Sequence, residues 1–167
     1  MTKKIKLLTT VVIALLTSSM AFFSLAATEF PDTVLVDFKT GKTTSIASFK
    51  GKVLYIDFWA SWCIPCIKSF PFMNEISKNY PDNQFQVIAI NMDENKADAE
   101  VFLQNYPANF TIFTNPGNKL AKTLQLPGLP MAFIVNAQGE IVAKHAGFNN
   151  RKKAIKIQQL NLLMEQK

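Results

Sequence analysis

The sequence predicts an α/β domain in which a central mixed sheet is flanked by helices. Two apolar runs, Val53–Trp59 and Gln86–Asn91, are typical of buried strands in a parallel core. Apolar residues recur at helical spacing after each of these runs. Two further apolar stretches on either side of residues 137–139 have the pattern of a β-hairpin. Together these observations predict a parallel core with an antiparallel edge.

The individual elements follow from the same patterns in chain order. Helical spacing begins at Cys63 and continues to Tyr80, with Pro65 in the first turn, where a proline is tolerated because its missing N–H would be unpaired there. The elements expected beyond the second strand are a helix at Ala97–Tyr106, a short helix at Lys119–Leu124, hairpin strands at Met131–Asn136 and Ile141–His145, and a basic amphipathic helix at Asn150–Met164.

The composition is that of one globular domain. The chain has 167 residues, of which 49% are hydrophobic and 18% are charged. A chain of this length can bury one sizeable core and has no room for a second large one. The composition excludes a disordered chain, a collagen-like repeat and a small disulfide-dense protein.

The first residues have the pattern of a secretory signal peptide. Met1–Lys6 carries three lysines, Leu7–Leu25 is mostly apolar, and Ser24-Leu25-Ala26 offers small residues for cleavage. We therefore expect a signal peptide at residues 1–26 and one domain at residues 27–167, located in the periplasm or another extracytoplasmic space. The alternative is an uncleaved segment that tethers the protein to the inner membrane, although threonines and serines interrupt the apolar stretch.

The positive charge of the chain is concentrated at its two ends. Removal of the signal peptide takes three lysines and lowers the formal charge from +6 to +3. The last 17 residues hold five basic side chains and one acidic side chain. The rest of the domain is close to neutral, so no basic face is expected to bind nucleic acid. The basic C-terminal residues are interpreted as a solvated helix face.

Two cysteines, Cys63 and Cys66, are the only cysteines of the chain. A disulfide between them would close too short a loop to stabilise the fold much. Structural zinc needs four ligands, and the chain adds only one histidine, His145. A haem attachment motif would need a histidine where Ile67 stands. The spacing therefore indicates a redox-active pair, and no metal is expected.

The local sequence suggests how this pair would react. Cys63 falls at the predicted helix N-terminus, where the helix dipole favours a thiolate, so Cys63 is the expected nucleophile. Cys66 lies one turn further and suits a resolving thiol. Asp57 stands within the apolar strand and has two interpretations. It is either a buried proton acceptor with a raised pKa or a strand-end aspartate that accepts bonds from backbone amides.

The segment from Asp57 to Cys66 resembles the active-site strand, loop and helix of thioredoxins. Phe30-Pro31-Asp32 and the segment Ser45–Lys52 make the chain similar to the exported TlpA/ResA-like branch of thioredoxin-like disulfide reductases. The resemblance implies a thioredoxin-like fold with an N-terminal β extension and a central insertion around Ala97–Phe113.

The resemblance also implies a substrate-binding surface. Gly128-Leu129-Pro130 resembles the family loop in which a cis proline stands beside the cysteines and the preceding backbone pairs with an extended substrate. On this basis Leu129 and Pro130 are expected to bind substrate, together with Trp62 and Pro65 next to the cysteines.

Four positions depart from the family pattern. Ile64 replaces the glycine of cytosolic thioredoxins, and Ser69 stands where many exported relatives have an acid. Met131 replaces the threonine that usually follows the cis proline, and Ala89 takes the place of a lysine that partners the buried acid in thioredoxin. These differences affect the expected substrate preference and the pKa of Asp57.

The resulting functional hypothesis is a thiol:disulfide oxidoreductase that reduces disulfides in exported proteins. It needs no cofactor beyond the Cys63 and Cys66 pair, is monomeric, and is expected to be re-reduced by a membrane electron carrier, as the resemblance implies. Two alternatives remain: the same exchange in the reverse direction, as a thiol oxidase or isomerase, and a non-catalytic peptide-binding module. The absence of a histidine between the cysteines favours the reductase.

Overall fold

The computed structural model describes residues 28–165, and the expected signal peptide at residues 1–26 lies outside this range. Seven strands of this range form one sheet, which is accompanied by four α-helices. The strands are β1 (Val34–Asp37), β2 (Thr43–Ser45), β3 (Val53–Trp59), β4 (Phe85–Asn91), β5 (Thr111–Thr114), β6 (Met131–Val135) and β7 (Ile141–Ala146). The helices are α1 (Cys66–Asn79), α2 (Lys96–Asn105), α3 (Lys119–Thr123) and α4 (Asn150–Glu165).

The sheet is mixed, with the strand order β2-β1-β5-β4-β3-β6-β7. β3, β4 and β5 are parallel to one another, because α1 and α2 provide the crossovers that parallel neighbours require. β6 joins β3 in antiparallel orientation and forms a hairpin with β7. β1 and β2 form the N-terminal extension, and β1 pairs with β5. The predicted α/β, thioredoxin-like class is therefore confirmed.

Side chains of β3 separate the core into two layers. Successive residues of a strand point to opposite faces of the sheet, and all seven residues of β3 are buried. Tyr55 and Trp59 belong to the layer that also contains Cys63 and Cys66. Ile56 and other residues of the opposite parity belong to the second layer. This explains why the strand is an almost continuous apolar run in the sequence.

Three helices cover the layer that contains the cysteines. α1 contributes Phe70, α2 contributes Phe102 and α4 contributes Leu160, and all three side chains are buried. The Phe70 ring stands edge-on to Trp59, with 4.8 Å between ring centroids, and to Phe102 at 4.9 Å. α3 packs on the opposite layer. Among residues 28–165, no helix combines the length and the apolar composition of a membrane span.

The element boundaries differ from the sequence-based expectation at the active-site helix. The predicted helix start at Cys63 is wrong, because α1 begins at Cys66. Cys66 N–H donates to the Cys63 carbonyl at 3.0 Å, and Lys68 N–H donates to the Pro65 carbonyl at 3.2 Å. Such bonds across three residues belong to tight turns, and the regular helix follows them. The strands β1, β2 and β5 had no individual prediction, because each has only three or four residues.

Candidate active site

The two cysteines lie where β3 leads into α1, and they form a disulfide. Their Cα atoms are 5.3 Å apart. Cys63 lies in the turn before α1, at the amino end of the helix, and Cys66 is the first helical residue. The expectation that Cys66 lies one turn inside the helix is therefore wrong. The expected proximity of Cys63 to the positive end of the helix dipole remains.

The cysteines differ in their access to solvent. Cys66 is completely buried, whereas 4% of Cys63 is exposed. The neighbours of Cys63 in the chain, Trp62 and Ile64, are the most exposed large apolar residues of the described chain, at 69% and 77%. Pro65 is exposed as well. Cys63 is thus the outer sulfur, and two apolar side chains flank it at the surface.

The loop between β3 and Cys63 is tied to the end of β4. Ser61 bonds the carboxylate of Asp93 through its backbone N–H and its hydroxyl. Asn91 donates from Nδ2 to the same carboxylate at 2.7 Å. The N–H of Met92 donates to the Trp59 carbonyl at 2.8 Å. These bonds hold the loop against the neighbouring strand before it reaches Cys63.

The loop before β6 lies at the same end of the sheet as the cysteines. The peptide bond between Leu129 and Pro130 is cis, as the resemblance implied. The next residue, Met131, pairs with Phe58 near the end of β3. Leu129 and Trp62 line one surface cavity of about 470 Å³. The structure therefore brings the proline loop and the residue before Cys63 to one surface.

Asp57 lies inside the protein, on the same face of the sheet as Tyr55 and Trp59 and therefore in the layer that contains the cysteines. It is completely buried, and neither carboxylate oxygen has a hydrogen-bond partner. The interpretation as a strand-end aspartate bonded by backbone amides is therefore wrong. Burial raises the pKa of Asp57 to about 7, and the positive charge of Lys156 acts in the opposite direction. The group can exchange a proton near neutral pH.

Lys156 of α4 is a buried residue of this layer that the sequence interpretation missed. Only 1% of it is exposed, so the C-terminal basic residues do not form a uniformly solvated face. Its ammonium group donates to the Tyr55 hydroxyl at 2.9 Å. Burial lowers its pKa to about 8, while the Asp57 carboxylate raises it.

One sequence signal could have identified Lys156. It stands four residues before Leu160, which is completely buried, and therefore occupies the core-facing side of an amphipathic helix. The five basic residues beyond residue 150 favour the interpretation of a solvated face, and Arg151, Lys152 and Lys153 are indeed not buried. A lysine on the apolar face requires a polar partner in the core.

Two of the family departures now have a structural setting. Ala89 lies directly opposite Asp57 in the parallel pair of β3 and β4, so the neighbouring strand provides no charge. Ser69 is buried in α1, and its hydroxyl donates to the Cys66 carbonyl at 3.0 Å. Because position 69 is a serine and not an acid, Asp57 is the one buried carboxyl group among residues 28–165.

The lone histidine does not belong to a metal-binding cluster of the described residues. His145 Nε2 is 2.7 Å from Oε1 of Gln159 on α4. Partial burial lowers its pKa. Among residues 28–165, no three His, Cys, Asp or Glu side chains lie together in a way that could hold a metal ion.

Comparisons with known proteins agree with this geometry. The model of the Redoxin family matches residues 25–160. The thiol-disulfide oxidoreductase ResA of Bacillus cereus is 30% identical over 157 residues, which are 87% of this chain and 90% of the relative. ResA of Bacillus subtilis strain 168 is 30% identical over 112 residues, covering 67% of this chain and 62% of the relative.

Solved structures share the fold. The crystal structure of a Chlorobium tepidum protein assigned as thiol:disulfide interchange protein DsbE aligns with a TM-score of 0.77 at 36% identity, covering 82% of this chain and 96% of that one. The exposed lipoprotein thioredoxin of Streptococcus pneumoniae strain TIGR4 aligns with a TM-score of 0.63 at 28% identity, covering 76% and 97%.

Proposed function

The chain belongs to the Redoxin family, as a ResA/TlpA-like thiol:disulfide oxidoreductase of the thioredoxin superfamily, and we propose that it works as a reductase of disulfides in exported proteins. The observation that carries this proposal is the position of the Cys63 and Cys66 pair, which follows β3, with the buried Asp57 carboxylate in the same layer and without a hydrogen-bond partner. The pair itself holds the two electrons, so the reaction needs no added cofactor.

The first step is the attack of Cys63 on a substrate disulfide. The amino end of α1 favours the thiolate of Cys63, and Cys63 is the less buried of the two cysteines. Its sulfur forms a bond to one substrate sulfur, and the other substrate sulfur leaves as a thiolate. The product is a mixed disulfide between Cys63 and the substrate.

The second step is the release of the substrate by Cys66. The Cys66 thiol gives its proton toward Asp57, and the resulting thiolate attacks the Cys63 sulfur. The bond between Cys63 and the substrate breaks, so the substrate leaves reduced and the protein becomes oxidised. Asp57 suits this step because burial raises its pKa to about 7, close to working pH.

The substrate docks on the surface around Cys63. Trp62 and Pro65 are exposed beside the cysteine, and Leu129 shares a surface cavity with Trp62. The backbone at Leu129 pairs with an extended substrate segment, which the cis Pro130 holds beside the disulfide. Main-chain pairing of this kind depends little on the side chains of the substrate, so several exported proteins can serve as substrates.

The cellular setting follows from the N-terminal sequence. Residues 1–26 have the pattern of an export signal, so the domain works in the periplasm or another extracytoplasmic space. We expect it to act there as a monomer. An uncleaved segment would instead tether it to the inner membrane. Each cycle leaves Cys63 and Cys66 oxidised, and a membrane electron carrier must return two electrons.

The direction of exchange is tested by the reduction potential of the pair. The protein is equilibrated with glutathione, and the fluorescence of Trp59 and Trp62 reports the redox state. A potential well below about −200 mV supports the reductase. A potential near about −120 mV would overturn it in favour of a thiol oxidase.

A trapping experiment tests the two cysteine roles. The Cys66→Ser variant accumulates a mixed disulfide with a disulfide-containing protein, because no second thiol releases it. The matched Cys63→Ser variant accumulates none. Equal trapping by both variants would contradict the assignment of Cys63 as the nucleophile, and trapping by neither would leave only the peptide-binding alternative.

A further inference from the structure

Lys156 is held in the core by one hydrogen bond and three aromatic rings. Its Nζ atom donates to the Tyr55 hydroxyl at 2.9 Å. The same atom lies 4.8 Å from the ring centroid of Phe148, 5.5 Å from that of Tyr55 and 5.7 Å from that of Phe72. A buried ammonium group loses its hydration, which these contacts replace only in part.

Asp57 provides the complementary charge in the same layer. It stands two residues after Tyr55 in β3, so both side chains point to the same face of the sheet. Asp57 and Lys156 are the two buried charged residues among residues 28–165. Neither carboxylate oxygen of Asp57 accepts a hydrogen bond from another group. Each residue is thus the nearest available counter-charge for the other within the described core.

We propose that Lys156 is a positioning residue for the release step, whose positive charge favours the ionised form of the buried Asp57 carboxylate and so enables it to accept the proton of Cys66. The proposal rests on the proposed function, in which Asp57 is that proton acceptor. It assigns a role to α4, a helix that contributes no cysteine and no part of the proline loop.

The proton and electrons balance within the site. The S–H bond of Cys66 breaks, its proton joins Asp57, and its electron pair remains on the sulfur. That sulfur forms the bond to Cys63 as the bond between Cys63 and the substrate breaks, and the substrate sulfur takes the electron pair of the broken bond. Without the charge of Lys156, Asp57 would hold a proton in most molecules at neutral pH, and a protonated carboxyl group cannot accept another.

The other groups near Lys156 do not replace its charge. Tyr55 is neutral, because burial raises the pKa of its hydroxyl well above 10. His145 of β7 is partly buried, which lowers its pKa, and the charge of Lys156 acts in the same direction. Lys152 of α4 repels Lys156 and lowers its pKa further. Phe72 and Phe148 carry no charge.

The test compares full-length Lys156→Met, Asp57→Asn and the double variant with the wild-type protein. The infrared band of the protonated Asp57 carboxyl group, identified by its loss in Asp57→Asn, is followed against pH. Lys156→Met is expected to raise the Asp57 midpoint by about one pH unit or more, because an opposite charge has been removed. Arg151→Met is the matched control, since it removes an exposed positive charge from the same helix.

The release step supplies a second readout. At a saturating concentration of a disulfide-containing peptide, the concentration-independent change in tryptophan fluorescence reports release. Lys156→Met is expected to slow this rate about fivefold or more near neutral pH, because a one-unit rise in the midpoint of a half-ionised group leaves about one tenth of it ionised, and to move the pH profile upward. In the Asp57→Asn background the same substitution is expected to change nothing further.

Each result decides the proposal. An unchanged Asp57 midpoint in Lys156→Met, with normal reduction by the wild-type protein, overturns the role of Lys156 alone. Equal slowing in the Asp57→Asn background also overturns it, because Lys156 would then act through packing. A wild-type protein that reduces no disulfide counts against the proposed function. If Lys156→Met does not fold, Lys156→Gln removes the charge and keeps a donor for Tyr55, and the same midpoint shift is expected.

Discussion

The backbone N–H of Ser61 donates to both carboxylate oxygens of Asp93, at 3.1 and 2.9 Å, and the Ser61 hydroxyl donates to Oδ1 at 2.8 Å. The two residues lie 32 positions apart in the chain, just beyond the ends of β3 and β4. Their contact joins the loop that carries Cys63 to the adjacent strand. The position of the reactive sulfur thus depends on a carboxylate that takes no part in the exchange.

Substitution Asp93→Ala is expected to destabilise the protein by about 2 kcal/mol, because it leaves the partly buried Ser61 N–H without its charged partner. Urea unfolding of the oxidised protein measures the loss. Asp82→Ala provides the control, since Asp82 is exposed and its removal should change stability by less than about 0.5 kcal/mol. Similar losses for both variants would show that the Ser61 contact contributes nothing.

Asp57 should make stability depend on pH. Burial raises its pKa from 3.8 to about 7. Between these values the folded protein holds a proton that the unfolded chain has released, so this group lowers stability as pH rises from about 4 to about 7. Asp57→Asn cannot titrate and should gain stability relative to the wild type over this interval, on the order of a few kcal/mol.

Urea unfolding at about pH 4 and about pH 7 checks this expectation, because the difference between variant and wild type cancels the other titrating groups. Asp82→Asn is the exposed control and should show the same difference at both pH values. A constant difference for Asp57→Asn would mean that Asp57 is ionised throughout this range.

Trp62 should matter for large substrates and little for small ones. Its side chain is 69% exposed beside Cys63, so it is available to a docked protein. Trp62→Ala is expected to lower kcat/KM for a disulfide-containing protein about tenfold, which corresponds to ~1.4 kcal/mol of transition-state binding. The reaction with oxidised glutathione should change less than about twofold. Val142→Ala, at a 46% exposed site on β7, should alter neither. Equal losses on both substrates would contradict a docking role.

Phe70 should be a major contributor to stability. Its ring contacts Trp59, Phe102 and Phe110, with centroid distances of 4.8, 4.9 and 5.5 Å. Phe70→Ala is expected to cost about 3 to 5 kcal/mol, because the cavity would lie inside a rigid aromatic cluster. Val101→Ala, at a 58% exposed position on α2, should cost less than about 0.5 kcal/mol. Denaturant unfolding compares the two, and a small loss for Phe70→Ala would indicate that the cluster collapses into the space.

The reactive pair and its strand were predictable because their signals are local. The apolar run of β3 and the two-residue cysteine spacing are visible in a short window of sequence. The start of α1 was not predicted, since Cys63 continues the apolar periodicity of the helix while its backbone lies in the preceding turn. Periodicity describes side chains and is insensitive to the backbone bonds that define the helix start.

The role of α4 could not be predicted from local patterns. Lys156 lies 101 residues after Tyr55, and only the folded chain brings them together. The segment 151–156 contains four basic residues, which favours the interpretation of an exposed face. Ala89 was the sequence feature that argued against this interpretation. It leaves Asp57 without a lysine on the neighbouring strand, and a buried acid then needs a cation from another element.

The strand that leads to the cysteines has hydrogen-bonded neighbours on both sides, β4 and β6. Backbone amides in such an interior strand exchange with deuterium only when the whole sheet opens, whereas edge strands such as β2 exchange through local openings. The base of the active site therefore belongs to the last cooperative unit to open. On heating, edge strands such as β2 should fray first. The strand β3 beneath the cysteines should unfold only at the main transition.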